Sequence, residues 1–242
     1  MPQDSFQNVY QALANNSADF GILPLENSIE GSINSTLDLL QELGSEINIV
    51  AEINLKVVHN LIVVNSNFDK IYSHPQALAQ CRQWLRSNYP LATIIETSST
   101  AKAAELAKND KQAAIASNYA AEKFGLKILQ ESIEDNKYNI TRFIILGKVL
   151  PEYNFNNKTS LLFSVKHKSG ALFDALEPFK KNNLNLTKIE SRPSKKNPFE
   201  YVFFVDFQGH PMMNEAKDAI ENMQDKCIFV KILGSYLEDT GK

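Results

Sequence analysis

Residues Tyr138 to Leu146 read YNITRFIIL, a hydroxyl and a guanidinium set directly against a run of large apolar side chains. A short unbroken run such as Phe143 to Leu146 suits a strand covered on both faces, which puts Thr141 and Arg142 at its mouth. In α/β folds the end of a rigid strand holds a side chain in place while leaving it open to a cleft, where chemistry tends to be sited. The plain alternative is threonine's preference for strands and an arginine marking a strand's wet end.

Outward from this strand the chain alternates. Phe6, Val9, Tyr10 and Leu13 fall at helical spacing, NNSAD breaks the helix, and FGILPL follows as a strand closed by Pro24. A helix is expected from about Ser35 to Leu43, with Ser35 and Asp38 spaced as a capping pair and Gly44 as its stop. Strands are expected over about 47–53 and 57–64, then a short strand at KIYS and a helix opened by Pro75. ATIIE and QAAIAS read as strands around a helix from about Thr100 to Lys108, and SNYAAEKFG as a short helix. The class is α/β.

The segment PEYNFNNKT has the proline, asparagine and low hydrophobicity of a linker, which sets domains at 1–150 and 158–242. Beyond it come strand SLLFSVKH, a helix over about 170–182, strands LNLTKIES and YVFFVDFQ, a helix over about 213–224 and strand CIFVKILG. That βαββαβ order is the ferredoxin-like pattern, with both helices on one face of a four-stranded antiparallel sheet. The other face needs cover, so geometry suggests a homodimer built on identical patches.

With 43% hydrophobic and 22% charged residues, the sequence is that of an ordinary soluble protein. Neither an apolar run of membrane length nor a basic leader is seen, so a cytoplasmic location is expected. A net charge of −3 argues against general nucleic-acid binding. Cys81 and Cys227 match no metal or redox spacing, and His59, His74, His167 and His210 are scattered, so no metal site is expected.

Three stretches offer polar groups at element starts. PLENSIEGS places Glu26, Asn27 and Ser28 after a strand and ahead of a helix, where short side chains and backbone N–H groups can face an anion. SHPQALAQC carries Ser73 and His74 before a helix that sets Gln76 and Gln80 on one face as a neutral hydrogen-bonding wall. TSSTAKAAEL offers Ser99 and Thr100 at another helix start. Ordinary capping and turn chemistry is the alternative for each. The motifs G-x-G-x-x-G, G-x-x-x-x-G-K-[ST], G-x-S-x-G and H-E-x-x-H do not occur, so nucleotide, serine-hydrolase and zinc-protease readings lose their usual supports.

Taken together, FGLKIL, Asp135, NKYNI with Asn139, and TRFIIL resemble the catalytic signature of the prephenate dehydratases. TKIESRP and GALFDAL resemble the motifs of an attached ACT regulatory domain, and PLENSIEGS and SHPQALAQC are similar to further family motifs. The resemblance implies a catalytic domain of two α/β lobes, like a periplasmic binding protein, with the active site in the interlobe cleft. It makes Thr141 catalytic, places Glu26, Asn27, Ser73, Gln80, Arg142 and Phe143 in the substrate site, and implies decarboxylating dehydration of prephenate without a cofactor. L-Phenylalanine would act as effector at an ACT interface, between Gly170, Ala171 and Leu172 of one subunit and Glu190, Ser191, Arg192 and Pro193 of its neighbour, in a homodimer or tetramer. Family members open with a G-P-x-G-[TS]-[FY] segment that this chain lacks, so an incomplete first lobe is expected. Arogenate dehydratase, or a phenylalanine-binding remnant with weak or no catalysis, is the alternative.

Overall fold

The computed structural model describes residues 1–195 and 200–240, so residues 196–199 and the last two of the expected 158–242 domain lie outside the described ones. The chain divides into two compact units, one formed by Met1–Leu55 with Thr141–Lys242 and the other by Lys56–Ile140. The division does not fall at the expected linker, because the first segment and the carboxy-terminal part share a core.

In the first unit, helix α1 (Phe6–Ala14) starts at Ser5, whose hydroxyl accepts from the Asn8 N–H at 3.1 Å. Its Phe6, Val9, Tyr10 and Leu13 stripe packs into the core, as the spacing predicts. Strand β1 (Phe20–Asn27) does not stop at Pro24. A register shift between Pro24 and Glu26 absorbs the missing N–H and lets the strand continue. A two-residue strand, β2 (Gly31–Ser32), folds back on β1, and helix α2 (Asn34–Glu42) begins one residue before the expected start, without a side-chain cap. Thr36 Oγ1 instead ties α2 to the Pro24 carbonyl at 2.6 Å. Strand β3 is Asn48–Lys56.

The second unit holds strands β4 (Asn60–Val63), β5 (Phe68–Ser73), β6 (Thr93–Glu96), β7 (Lys111–Ala116) and β8 (Lys127–Gln130) in the order β6-β5-β7-β4-β8. Strand β5 runs parallel to β6 and β7, while β4 is antiparallel to β7 and β8. The helix opened by Pro75 is two helices, α3 (Pro75–Gln80) and α4 (Arg82–Asn88), hinged at Cys81. Helices α5 (Thr100–Leu106) and α6 (Asn118–Phe124) follow their expected positions, and Gly125 ends α6 with φ 66°, a left-handed turn that glycine adopts without strain. Cys81 is buried, and burial pushes its thiol up to about 12.

The chain returns to the first unit along strand β9 (Ile140–Gly147), which lies between β1 and β3 in the order β2-β1-β9-β3. Only one face of β9 is fully covered, contrary to the reading from its apolar run. Arg142, Ile144 and Leu146 are buried, whereas Phe143 and Ile145 are half-buried. Ile145 joins Phe20, Ile22, Val149 and Leu150 around an apolar hollow of about 430 Å³.

Strands β10 (Asn157–Val165), β11 (Leu186–Pro193), β12 (Tyr201–Gln208) and β13 (Cys227–Leu237), with helices α7 (Ala171–Lys181) and α8 (Asn214–Gln224), form the ferredoxin-like unit. Its sheet is antiparallel in the order β11-β12-β10-β13, with α7 and α8 packed on one face around Phe163, Phe179 and Phe207. The opposite face is covered by the same chain: Leu162, Val202, Phe204, Leu233 and Tyr236 share a core with Leu37, Ile49 and Ile144. The geometric need for a second copy there is met internally. At Gly234 the approach to β3 is so close that an added Cβ would run into the Ile49 carbonyl oxygen.

Candidate active site

Thr141 and Arg142 enter β9 opposite Asn27 and Glu26 of β1, as adjacent cross-strand pairs. Because side chains alternate along a strand, Thr141 and Arg142 point to opposite faces. Each then meets a different set of partners.

On the Thr141 face, Asn27 Nδ2 donates to Thr141 Oγ1 at 2.9 Å. Asn27 cannot turn its amide over at no cost, because its Oδ1 accepts from the backbone N–H groups of Ile29 and Glu30 at 2.9 and 3.1 Å. The threonine oxygen is therefore an acceptor towards Asn27, and its own proton is left to be donated. Ser28, next to this turn, is exposed.

The Arg142 face is a buried ion network. Arg142, only 7% exposed, donates through Nε to Glu52 at 2.6 Å and through Nη1 to Glu26 at 2.9 Å and to Asp206 at 2.7 Å. Its Nη2 donates to the Tyr236 hydroxyl at 3.0 Å, and Ser160 bridges Asp206 and Tyr236 at 2.6 and 2.7 Å. Lys158 bonds the other oxygen of Glu52 at 2.8 Å, and Lys188 bonds the other oxygen of Glu26 at 2.6 Å. Burial works against the guanidinium's charge, but Asp206, Tyr236 and Glu52 outweigh it and raise Arg142 further, so it stays charged. Burial and then Asp206 hold the Tyr236 phenol well above its usual range, protonated and able to donate. Burial works to raise the Glu26 carboxyl, yet Lys188 and Arg142 together hold it below its usual range. The family resemblance offers Arg142 as part of the substrate site; the structure commits its guanidinium to these internal carboxylates. Glu52, Asp206, Tyr236, Lys158 and Lys188 carry no signal in the sequence, since each belongs to a different strand segment far along the chain.

In the second unit Gln80 Oε1 accepts from Asn139 Nδ2 at 2.8 Å and lies 2.7 Å from His59 Nε2. The sequence gives His59 a structural reading, and its backbone N–H is indeed held by Glu134 at 2.9 Å. Gln76 is exposed while Gln80 is partly buried, so the two amides do not share one environment. Ser73 is fully buried, with its hydroxyl spent on the Ile115 carbonyl at 2.7 Å. His74 caps α3, and Ser99 caps α5 through the Lys102 N–H at 3.0 Å, with Thr100 as the first helical residue. The signature's Asp135 serves the fold, because its carboxylate receives the Gln83 and Trp84 N–H groups at the start of α4, at 2.9 and 3.0 Å.

In the ferredoxin-like unit, Gly170 stands at φ 78° before α7, and Ala171 and Leu172 line a cavity of about 230 Å³ with Lys166, His167, Tyr201 and Phe203. On β11, Lys188, Glu190 and Arg192 share one face, while Ser191 and Pro193 are exposed on the other.

A family model described as prephenate dehydratase matches residues 1–150, and one described as ACT domain matches residues 159–224. The chain belongs to the prephenate dehydratase family. It is 44% identical over 97% of its length to the bifunctional chorismate mutase/prephenate dehydratase of Aquifex aeolicus, spanning 66% of that relative. The prephenate dehydratase of Methanocaldococcus jannaschii is 39% identical over 96% of the chain and 86% of its own length. An Arabidopsis thaliana relative described as arogenate dehydratase/prephenate dehydratase 2 is 36% identical over 99% of the chain and 67% of its own length. Among solved structures, prephenate dehydratase from Arthrobacter aurescens in complex with L-Phe superposes with TM-score 0.87 at 31% identity, covering 98% of this chain and 81% of that one. A structure described as GqqA, a novel type of quorum quenching acylase, gives TM-score 0.88 at 29% identity, covering 100% of this chain and 90% of that one.

Proposed function

We propose that the chain converts prephenate to phenylpyruvate, with Thr141 as the group that eases departure of the ring hydroxyl. The Asn27 amide fixed on Thr141 Oγ1 carries this reading, because Asn27 uses the threonine oxygen as an acceptor and leaves its proton to be donated. In the reaction the bond from the ring to its carboxylate breaks and leaves as carbon dioxide. That electron pair moves through the ring and expels the opposite hydroxyl as hydroxide, which takes a proton from solvent to become water. Aromatisation supplies the driving force, so the protein has only to hold a dianion and stabilise the leaving oxygen. An alcohol is too weak an acid to give up its proton fully, so Thr141 acts by hydrogen bonding.

Gln80, oriented by His59 and Asn139, is proposed to receive the substrate in the second unit, with Glu26, Ser28, His74, Gln76, Ser99, Thr100 and Phe143 as further candidates. Ser73 and Arg142 act in this reading by shaping their strands. L-Phenylalanine is the proposed effector, at the cavity beside Gly170, Ala171 and Leu172. The ACT match and the L-Phe complex of the Arthrobacter relative support it. A homodimer and a cytoplasmic location complete the reading. No helix among the described residues is long and apolar enough to cross a membrane.

Thr141→Val is expected to lower phenylpyruvate production by about a hundredfold, the usual order for losing one aimed donor, while Thr141→Ser keeps more of it. Full turnover in the valine variant overturns the assignment. Arogenate, presented in the same assay, separates the dehydratase named for prephenate from that named for its amino analogue.

A further inference from the structure

The inner face of β11 grips the segment that carries Asn27. Lys188 Nζ reaches Glu26 Oε2 at 2.6 Å and Ser32 Oγ at 3.0 Å. Ser32 Oγ donates in turn to Glu190 Oε2 at 2.9 Å, and Arg192 closes on Asp38 Oδ1 through Nη2 and Nε at 2.9 and 3.2 Å. Glu26 and Ser32 are themselves cross-strand partners of the β1–β2 hairpin, and Asn27, the last residue of β1, leads into the turn between them. Lys188 thus pins both strands of that hairpin with one ammonium.

The next step leads to the candidate active site. Glu26 offers its other oxygen to Arg142, and that pair is adjacent in register to Asn27 and Thr141. Without Lys188, Glu26 and Ser32 lose the cation they share, and these two residues flank the turn whose N–H groups orient the Asn27 amide. The Lys188 side chain is 9% exposed, so water cannot readily stand in for it.

We propose that Lys188, on β11, is a positioning residue for the dehydration: it holds the Glu26–Ser32 hairpin so that Asn27 stays on Thr141, and because Ser191 and Pro193 of the same strand pair with Phe203 and Tyr201, which line the cavity beside Gly170, β11 is the route by which effector binding reaches Thr141. This rests on the dehydratase reading for its consequence in catalysis, but the mechanical link stands on the hydrogen bonds alone. Two readouts on the full chain therefore test it.

The first is hydrogen exchange of the backbone amides of Ile29 and Glu30, in the wild type, Lys188→Met and Ser32→Ala. Loss of protection in both variants is expected, with Lys188→Arg restoring it; unchanged protection in both overturns the link. The second is turnover of prephenate with and without L-phenylalanine. Lys188→Met is expected to lower kcat by about tenfold, with KM changing less, because a misplaced group costs rate more than binding. The Lys188→Met variant is also expected to lose most of its response to L-phenylalanine. Should Lys188→Met fail to fold, Ser32→Ala decides, with a fall in kcat of a few-fold expected. Equal kcat and equal L-phenylalanine response in the wild type and the folded variants overturns the positioning role. Exchange protection lost as expected, in a wild type that makes no phenylpyruvate, overturns the dehydratase reading and leaves the link standing.

Discussion

Thr141 and Arg142 differ by a single step along a strand, and that step separates a half-buried hydroxyl held by Asn27 from a buried ion hub. The strand was legible in YNITRFIIL, but its apolar run read as covered on both faces and both residues as open at its mouth, so the burial of Arg142 was not. The partners were not, because Glu26 lies 116 positions from Arg142, Glu52 lies 90, Asp206 lies 64 and Tyr236 lies 94. Breaking one partner of a buried ion pair costs about 3–5 kcal/mol, whereas exchanging a whole pair for apolar groups is often neutral. The hub is thus best understood as fixing register. Its pH dependence follows from Glu26, whose carboxyl is held below the ordinary 4.5 in the folded state against the opposing effect of burial. A carboxyl so depressed contributes stability that is present above its unfolded value and lost as pH falls through the folded one. Glu26→Gln should lower the urea midpoint at neutral pH and flatten its decline below 4.5. An acid limb as steep as that of the wild type would count against this account.

At the scale of elements, most strands and helices were readable from apolar periodicity, and the exceptions have local causes. The missed strand β8 has only Ile128 and Leu129 as apolar residues, too short a pattern to stand out beside the turn at Gly125. The helix opened by Pro75 reads as continuous because nothing in QALAQCRQW breaks helical spacing. What divides it is a carboxylate from a distant loop: Asp135 bonds the first N–H groups of α4 and lets a new helix start at Arg82. Asp135→Ala leaves these donors without their partner and should cost about 1–2 kcal/mol in thermal unfolding, the range for losing a helix cap. Asp135→Asn, which keeps one acceptor, should recover part of it. If both variants melt with the wild type, the cap contributes nothing.

For the molecule as a whole, the ferredoxin-like unit was legible as an element order, while the identity of what covers its second face was not. Periodicity shows that a face is apolar without saying which surface meets it, and here residues from before Leu55 and from β9 do so. At Gly234 backbone meets backbone, because an added Cβ would run into the Ile49 carbonyl. Gly234→Ala should therefore destabilise the chain by about 3 kcal/mol, at the upper end of overpacking because a carbonyl cannot rotate away as a side chain can. A melting curve that matches the wild type would show that the two layers can part without loss. The split of the first unit across the chain also bears on how the protein is made. Lys56–Ile140 is contiguous, whereas the first unit is split, and β1 and β3 emerge early with Glu26 and Glu52 before the cation on β9 that pairs with them. Until Arg142 arrives, these carboxylates have no cation on β9 to pair with, so the β1–β9–β3 sheet can be completed only once β9 has been made.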